Sequence, residues 1–203
     1  HHIHVAGRGS TLRKLILTGA ARSLGCPYLL HLHDYDYARD FSERSAHQQL
    51  RIRQMFQLAD CVVVLGKRDQ GTLVTMLGVD ERRILMAPNS VPDPGPRDIR
   101  EAEIPLILFL GRLSRRKGVD ELLLALSHPA MERLRWRAVI AGDGPVNDYR
   151  RFAKEMGLAE RVEMPGWLSS EATQILCNQA DILVLPSYAE GLAMAVLEGL
   201  AHE

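Results

Sequence analysis

Two periods of apolar residues take turns along this chain. Short stretches of strand pattern, most of them apolar runs, fall at 1–5, 27–33, 60–65, 83–87, 106–110, 136–141, 161–164 and 182–185. Between them lie stretches in which apolar residues recur every three or four positions, the spacing of one helix face. These predict helices at 11–25, 42–59, 67–78, 117–127, 146–156, 169–178 and 191–202. Gly25 and Gly78 mark helix ends, with Pro27 just beyond the first, and Ser10 and Ser42 are candidate caps. Strands alternating with helices predict parallel sheets with helices on both faces and right-handed crossovers. The alternation breaks once. Val91 to Pro96 packs three prolines and a glycine into six residues, which excludes helix and central strand. The expected organisation is therefore an α/β chain in two parts, 1–90 and 105–203, joined by a linker at 91–104. Each part is an incomplete Rossmann-like parallel sheet, and the two face a cleft. Ligands of such sheets sit beyond the carboxyl ends of the strands.

Composition narrows the function. Twenty-five basic and 25 acidic residues give a formal net charge of zero, so no bulk field favours nucleic acid. No apolar run approaches the ~18–20 residues that span a bilayer. Cys26, Cys61 and Cys177 are far apart and odd in number, which fits reduced thiols in a cytoplasmic setting. The chain opens at His1 as a strand and stops at Glu203 inside a predicted helix. It reads as a piece of a longer protein. Open sheet edges and apolar faces would then make it poorly stable or prone to self-association.

The residues with chemical potential fall at strand ends. After the strand at 106–110 come Gly111, Arg112, a basic loop, Lys117 and Gly118. Arg offers a planar fork and Lys a mobile point charge, a pair suited to a diphosphate. Arg115 and Arg116 read as the solvated part of that loop. Gly142, Asp143, Gly144 and Pro145 follow the strand at 136–141 and read as a tight connection into a helix. After the strand at 182–185 come Glu190, Gly191, Leu192 and Ala193, then Glu198. Gly191 permits close approach of backbone to a ligand. In continuous helix the two glutamates would stand about 12 Å apart along the axis, too far for a retaining hydrolase pair at roughly 5–5.5 Å. His31 and His33 share one strand face. His33 lies nearer the strand end, and His31 reads as a core histidine. Their spacing suits a metal, but no third ligand is evident nearby, so none is expected.

The segment from Asp181 to Glu198 resembles the Glu-x7-Glu signature of retaining GT-B glycosyltransferases, most like family 4. Gly111, Arg112, Lys117 and Gly118 resemble that family's phosphate-binding motif, and Gly142 and Gly144 its glycine turn near the nucleotide. The segment 161–167, with Met164, resembles the stretch whose backbone lies against the base. The segment ending at His33 resembles the His-Leu-His-Gly run of exopolysaccharide-building members, with Asp34 in place of the glycine. The run from Arg8 to Lys14 resembles the same members. Ala193 replaces a frequent proline, and nothing corresponds to the family's first strands and glycine-rich loop.

The resemblance implies the GT-B fold and a retaining hexosyl transfer from a UDP- or GDP-linked sugar, without a metal or other cofactor, to a glycan or lipid-linked acceptor in cell-surface polysaccharide synthesis. His33 and Glu190 would act on the donor sugar. Glu198 would hold ribose hydroxyls. Gly111, Arg112, Lys117, Gly118, Gly142, Gly144, Met164, Gly191, Leu192 and Ala193 would line the donor site. A lipid-linked acceptor implies peripheral contact with the inner membrane face, to which the alternating run Arg133 to Arg137 could add. The piece alone would be inactive. A non-catalytic nucleotide-binding scaffold and a GT-B nucleotide-sugar epimerase remain alternatives. A nicotinamide dehydrogenase would need GxGxxG after a first strand, which neither half has.

Overall fold

The computed structural model describes residues 1–34, 36–96 and 103–202. The chain divides into two compact units, His1–Asn89 and Ser90–Glu203. Part of the expected linker, residues 97–102, lies outside the described residues.

The first unit runs β1 (His2–Val5), α1 (Gly9–Ser23), β2 (Leu29–Leu32), α2 (Tyr37–Ser42), α3 (Ala46–Gln57), β3 (Cys61–Val64), α4 (Lys67–Thr75) and β4 (Ile84–Met86). Its strands form one parallel sheet in the order β1-β2-β3-β4. Ile3, Leu30, Val62 and Ile84 pair across the sheet and all face one core, which Tyr37, Phe41, Ile52, Phe56 and Leu73 complete. The opposite face carries the register row His4, His31, Val63 and Leu85. Leu85 there is 59% exposed. Among the described residues this sheet has one packed face, not the two expected of a parallel sheet.

Helix boundaries differ from the sequence expectation for local reasons. The helix expected at 42–59 is α3 alone, and α2, which the pattern did not predict, lies ahead of it and shares only Ser42 with that stretch. Ser42 closes α2, its hydroxyl bonded to the Ala38 carbonyl at 2.9 Å. The cap is Ser45, whose Oγ accepts from the Gln48 amide while Gln48 Oε1 accepts from the Ser45 amide. This reciprocal box satisfies two otherwise free donors and fixes the start of α3. Ser10 is likewise no cap: α1 begins at Gly9, and Ser10 Oγ accepts from the Ala6 amide instead.

The second unit runs β5 (Leu106–Leu110), α5 (Val119–Leu126), α6 (Pro129–Glu132), β6 (Arg137–Ala141), α7 (Val146–Glu155), β7 (Val162–Gly166), α8 (Ser170–Gln179), β8 (Ile182–Leu183) and α9 (Met194–Leu200). All four strands are parallel, in the order β7-β6-β5-β8. β5 is five consecutive buried apolar residues. Its alternate side chains feed two cores, Ile107 and Phe109 on one face and Leu106, Leu108 and Leu110 on the other. That double burial is why the run shows no polar alternation. Winding goes outward from β5 through β6 to β7, then returns to place β8 on the other side of β5. The order therefore reverses at β5, and the crevice beyond the ends of β5 and β8 is where a ligand binds in open α/β sheets.

The expected helix at 191–202 is shorter. α9 starts at Met194, so Glu190 and Gly191 lie in the loop ahead of it and only Glu198 is helical. The expected peripheral run from Arg133 to Arg137 is also partly internal. Trp136 is 5% exposed, its indole bonds the Met131 carbonyl, and the Arg161 guanidinium stacks on it at 3.9 Å. No helix among the described residues is long and apolar enough to cross a membrane.

Candidate active site

The turns after β5, β6 and β7 are tied to one another before any ligand is considered. The Gly111 amide bonds the Ala141 carbonyl at 3.0 Å, the Gly142 amide bonds the Gly166 carbonyl at 2.8 Å, and the Leu113 amide bonds the Asp143 carbonyl at 2.7 Å. Gly142 is held at φ 149°, and a methyl group there would overlap the Gly111 carbonyl. Only glycine permits that approach. Gly118, at φ 70°, is locked in the same way against the Pro186 carbonyl, so the β5 loop and the β8 loop meet backbone to backbone.

This contact sets the charged groups. Arg115–Lys117 form one tight helical turn ending at Gly118. It brings Lys117 Nζ to 2.6 Å from Glu190 Oε1, with both side chains largely buried at 15% and 22% exposure. Arg116 approaches the same carboxylate at 3.8 Å and donates to the Ala189 carbonyl at 3.0 Å. Arg116 is exposed, as the sequence implied, and still reaches this carboxylate from the rim. Arg112 pairs with Asp143 at 3.7 Å across the ends of β5 and β6. Burial pushes the Glu190 carboxyl up. The Lys117 hydrogen bond and the charges of Lys117 and Arg116 outweigh it and leave the group below the usual carboxylate range. Glu190 is thus held as an anion.

Around these groups lies a pocket of about 480 Å³, lined among others by Gly111, Arg112, Lys117, Gly142, Glu190 and Glu198. That size suits a small organic ligand. Leu192 and Ala193 also line it. Of the expected residues, Gly118 and Gly144 shape the loops behind it, Gly144 packing on the Leu113 carbonyl. Gly191 is exposed just ahead of α9. Met164 departs from expectation. It is 4% exposed in the core, and its carbonyl accepts two bonds from the Arg150 guanidinium. Its backbone is engaged by protein, and it does not line the pocket. Trp167, two residues past Pro165, does line it and is 76% exposed.

His33 belongs to the first unit. Its amide extends the β1 ladder by bonding the Val5 carbonyl, and its Nε2 lies 2.7 Å from His4 Nδ1. Burial first, then the charges of His4 and His2, lower its pKa. Asp34, which stands where the resemblance has glycine, has a structural task. Its carboxylate accepts from the Gly7 and Asp36 amides and pins the loop after β1. His31 is no core residue. It sits half-buried on the open sheet face, and β1 brings His2 and His4 beside it. Two metal-type ligands that the sequence did not reveal, His2 and His4, come from that neighbouring strand, and His33 is not among the three.

A family model described as glycosyl transferases group 1 matches residues 97–203, a little over half of the chain. The chain belongs to the glycosyl transferases group 1. Across 98% of its length this glycosyltransferase chain is 28% identical to the 2-deoxystreptamine N-acetyl-D-glucosaminyltransferase of Streptomyces fradiae, covering 52% of that protein. It is 26% identical to the putative colanic acid biosynthesis glycosyltransferase WcaL of Escherichia coli K12, over 80% of this chain and 43% of that one. The chain thus spans about half the length of these curated relatives. The sucrose-phosphate synthase of Thermosynechococcus elongatus superposes with a TM-score of 0.75 at 19% identity, covering 99% of this chain and 54% of the other. WaaG, a glycosyltransferase involved in lipopolysaccharide biosynthesis, does so with a TM-score of 0.66 at 16% identity, over 92% and 60%. The two parallel-sheet α/β units are those of the GT-B fold.

Proposed function

We propose that this chain serves the transfer of a hexose from a nucleoside-diphosphate donor to a glycan or lipid-linked acceptor, with retention at the anomeric carbon. The observation that carries this reading is the Lys117–Glu190 pair at the reversal point of the second sheet, with Arg112 beside it. A leaving diphosphate develops negative charge, and fixed cations aimed at it lower the barrier most. Lys117 and Arg112 supply that charge from the protein, so the reading places no metal at the diphosphate. Glu190, an anion beside Lys117, is positioned to accept hydrogen bonds from the sugar hydroxyls. Glu198, one turn into α9 and beyond, is assigned to the ribose. Trp167 offers an exposed ring at the pocket for a base to stack on. His33 is assigned to the donor sugar by resemblance. The likeness to WcaL, named for colanic acid biosynthesis, and to WaaG, involved in lipopolysaccharide biosynthesis, supports an acceptor in surface polysaccharide assembly. On that reading the protein works at the inner membrane face.

Saturation-transfer NMR of this chain with UDP, GDP and ADP, beside Lys117→Ala, tests the assignment. One nucleotide is expected to bind. The variant should weaken it about 10- to 100-fold, the worth of one charge-assisted hydrogen bond of about 1.5–3 kcal/mol. Equal affinity in the folded variant would remove the diphosphate from this pocket.

A further inference from the structure

The open face of the first sheet carries four histidines that the transfer chemistry does not use as a group. His2 and His4 stand on β1 and His31 on β2, with His33 one residue past the strand end. In-register parallel pairing sets His4 beside His31. His2 Nε2 lies 3.2 Å from His31 Nδ1, and one ring nitrogen from each of His2, His4 and His31 falls within 4.8 Å of the others. The rings stack with centroids 4.5 to 5.3 Å apart. We propose that His2, His4 and His31 form a binding site for a divalent cation of the zinc class.

Three features argue for an ion over a plain stack of rings. The first is spacing. Tetrahedral zinc with Zn–N of about 2.0–2.1 Å needs neighbouring donors about 3.3 Å apart. The His2–His31 nitrogens are already at that separation, and side-chain rotation of the exposed His2 and His4 closes the remainder. The second is the count of partners. Hydrogen bonds pair His2 with His31 and His4 with His33, which leaves the three rings without a common partner. An ion at the three rings takes the place of the shared proton between His2 and His31 and gives the cluster one centre. The third is the outer contact. His4 Nδ1 faces His33 Nε2 at 2.7 Å. A ligating histidine characteristically donates its other ring N–H to such an acceptor, which fixes its tautomer. An all-imidazole set selects zinc or nickel over magnesium or calcium. The consequence is a clasp between edge strand β1 and β2, with His33 orienting one of its ligands.

The test is a titration of the metal-stripped chain with zinc against a chromophoric chelator, with cobalt as a spectroscopic stand-in. One equivalent should bind, cobalt should show the intense visible bands of a tetrahedral site, and saturating zinc should raise the melting temperature. His2→Ala, His4→Ala and His31→Gln should each weaken binding at least tenfold, while His1→Ala and His47→Ala leave it unchanged. Melting curves of the metal-free variants exclude unfolding as the cause, and His4→Ala, at an exposed position, decides if His31→Gln fails to fold. Absence of saturable binding overturns the proposal. So does binding that survives His31→Gln and is lost in His1→Ala, which would place the ion on the first residues of the chain.

Discussion

Lys117 and Glu190 neutralise one another at 2.6 Å, and a diphosphate has to compete for the same ammonium. Removing the carboxylate charge frees Lys117. Glu190→Gln is therefore expected to bind free nucleoside diphosphate more tightly while losing sugar transfer, a split read by titration and turnover together. The same substitution has a signature in acid. The folded Glu190 carboxyl titrates below its ordinary value of 4.5, so around that pH the folded state holds fewer protons than the unfolded one. Its stabilisation is complete above pH 4.5 and is lost as pH falls through the lower folded value. Melting temperature against pH should fall less steeply below 4.5 in Glu190→Gln. The sequence made Lys117, Arg112 and Glu190 legible because each sits in a short local motif. Arg116 and Asp143 were not legible. Their partners, Ala189 with Glu190 for one and Arg112 for the other, come close only when β5 lies between β6 and β8. Asp34 illustrates the same limit, since its bonding partner Gly7 is 27 residues away in sequence.

At the scale of elements, strands were read well and helix ends less so. A buried parallel strand shows as a short stretch rich in apolar residues, and the eight strands among the described residues all overlap the predicted stretches. The helix expected over 42–59 begins four residues ahead of α3, and α2 went unpredicted although it packs on the same core. Tyr37 and Phe41, four apart and both 2% exposed, were the available sign of a helix ahead of Ser42. Ser45 and Gln48, three apart, spell the capping box. Ser45→Ala is expected to destabilise the chain by about 1 kcal/mol, the usual effect of losing a helix cap, whereas Ser42→Ala should be near neutral. Thermal melts of the two variants compare them directly. The mislocated start of α9 has a different origin. Gly191 and Leu192 fit a helical spacing, but the chain turns into helix only at Met194.

Across the whole molecule, the two sheets resolve one sequence pattern in two ways. The second sheet is packed on both faces, through separate cores on either side of β5. The first is packed on one, and the face opposite carries the histidines together with Val63 and Leu85. Periodicity shows that a strand face is apolar but not how many layers cover it. The contrast between His4 or His31 and their neighbours Ile3, Val5, Leu30 and Leu32 was written in the period-two alternation of β1 and β2, and it marked this face as different. The placement of the two tryptophans has an optical consequence. Both lie in the second unit. Trp136 is sealed under Arg161, and Trp167 stands open beside the pocket. A dissolved quencher such as iodide should reach Trp167 alone, and a stacking base should shade it. The chain thus carries its own fluorophore at the candidate site and a shielded reference inside the fold, so ligand arrival can be followed by intrinsic emission without a label.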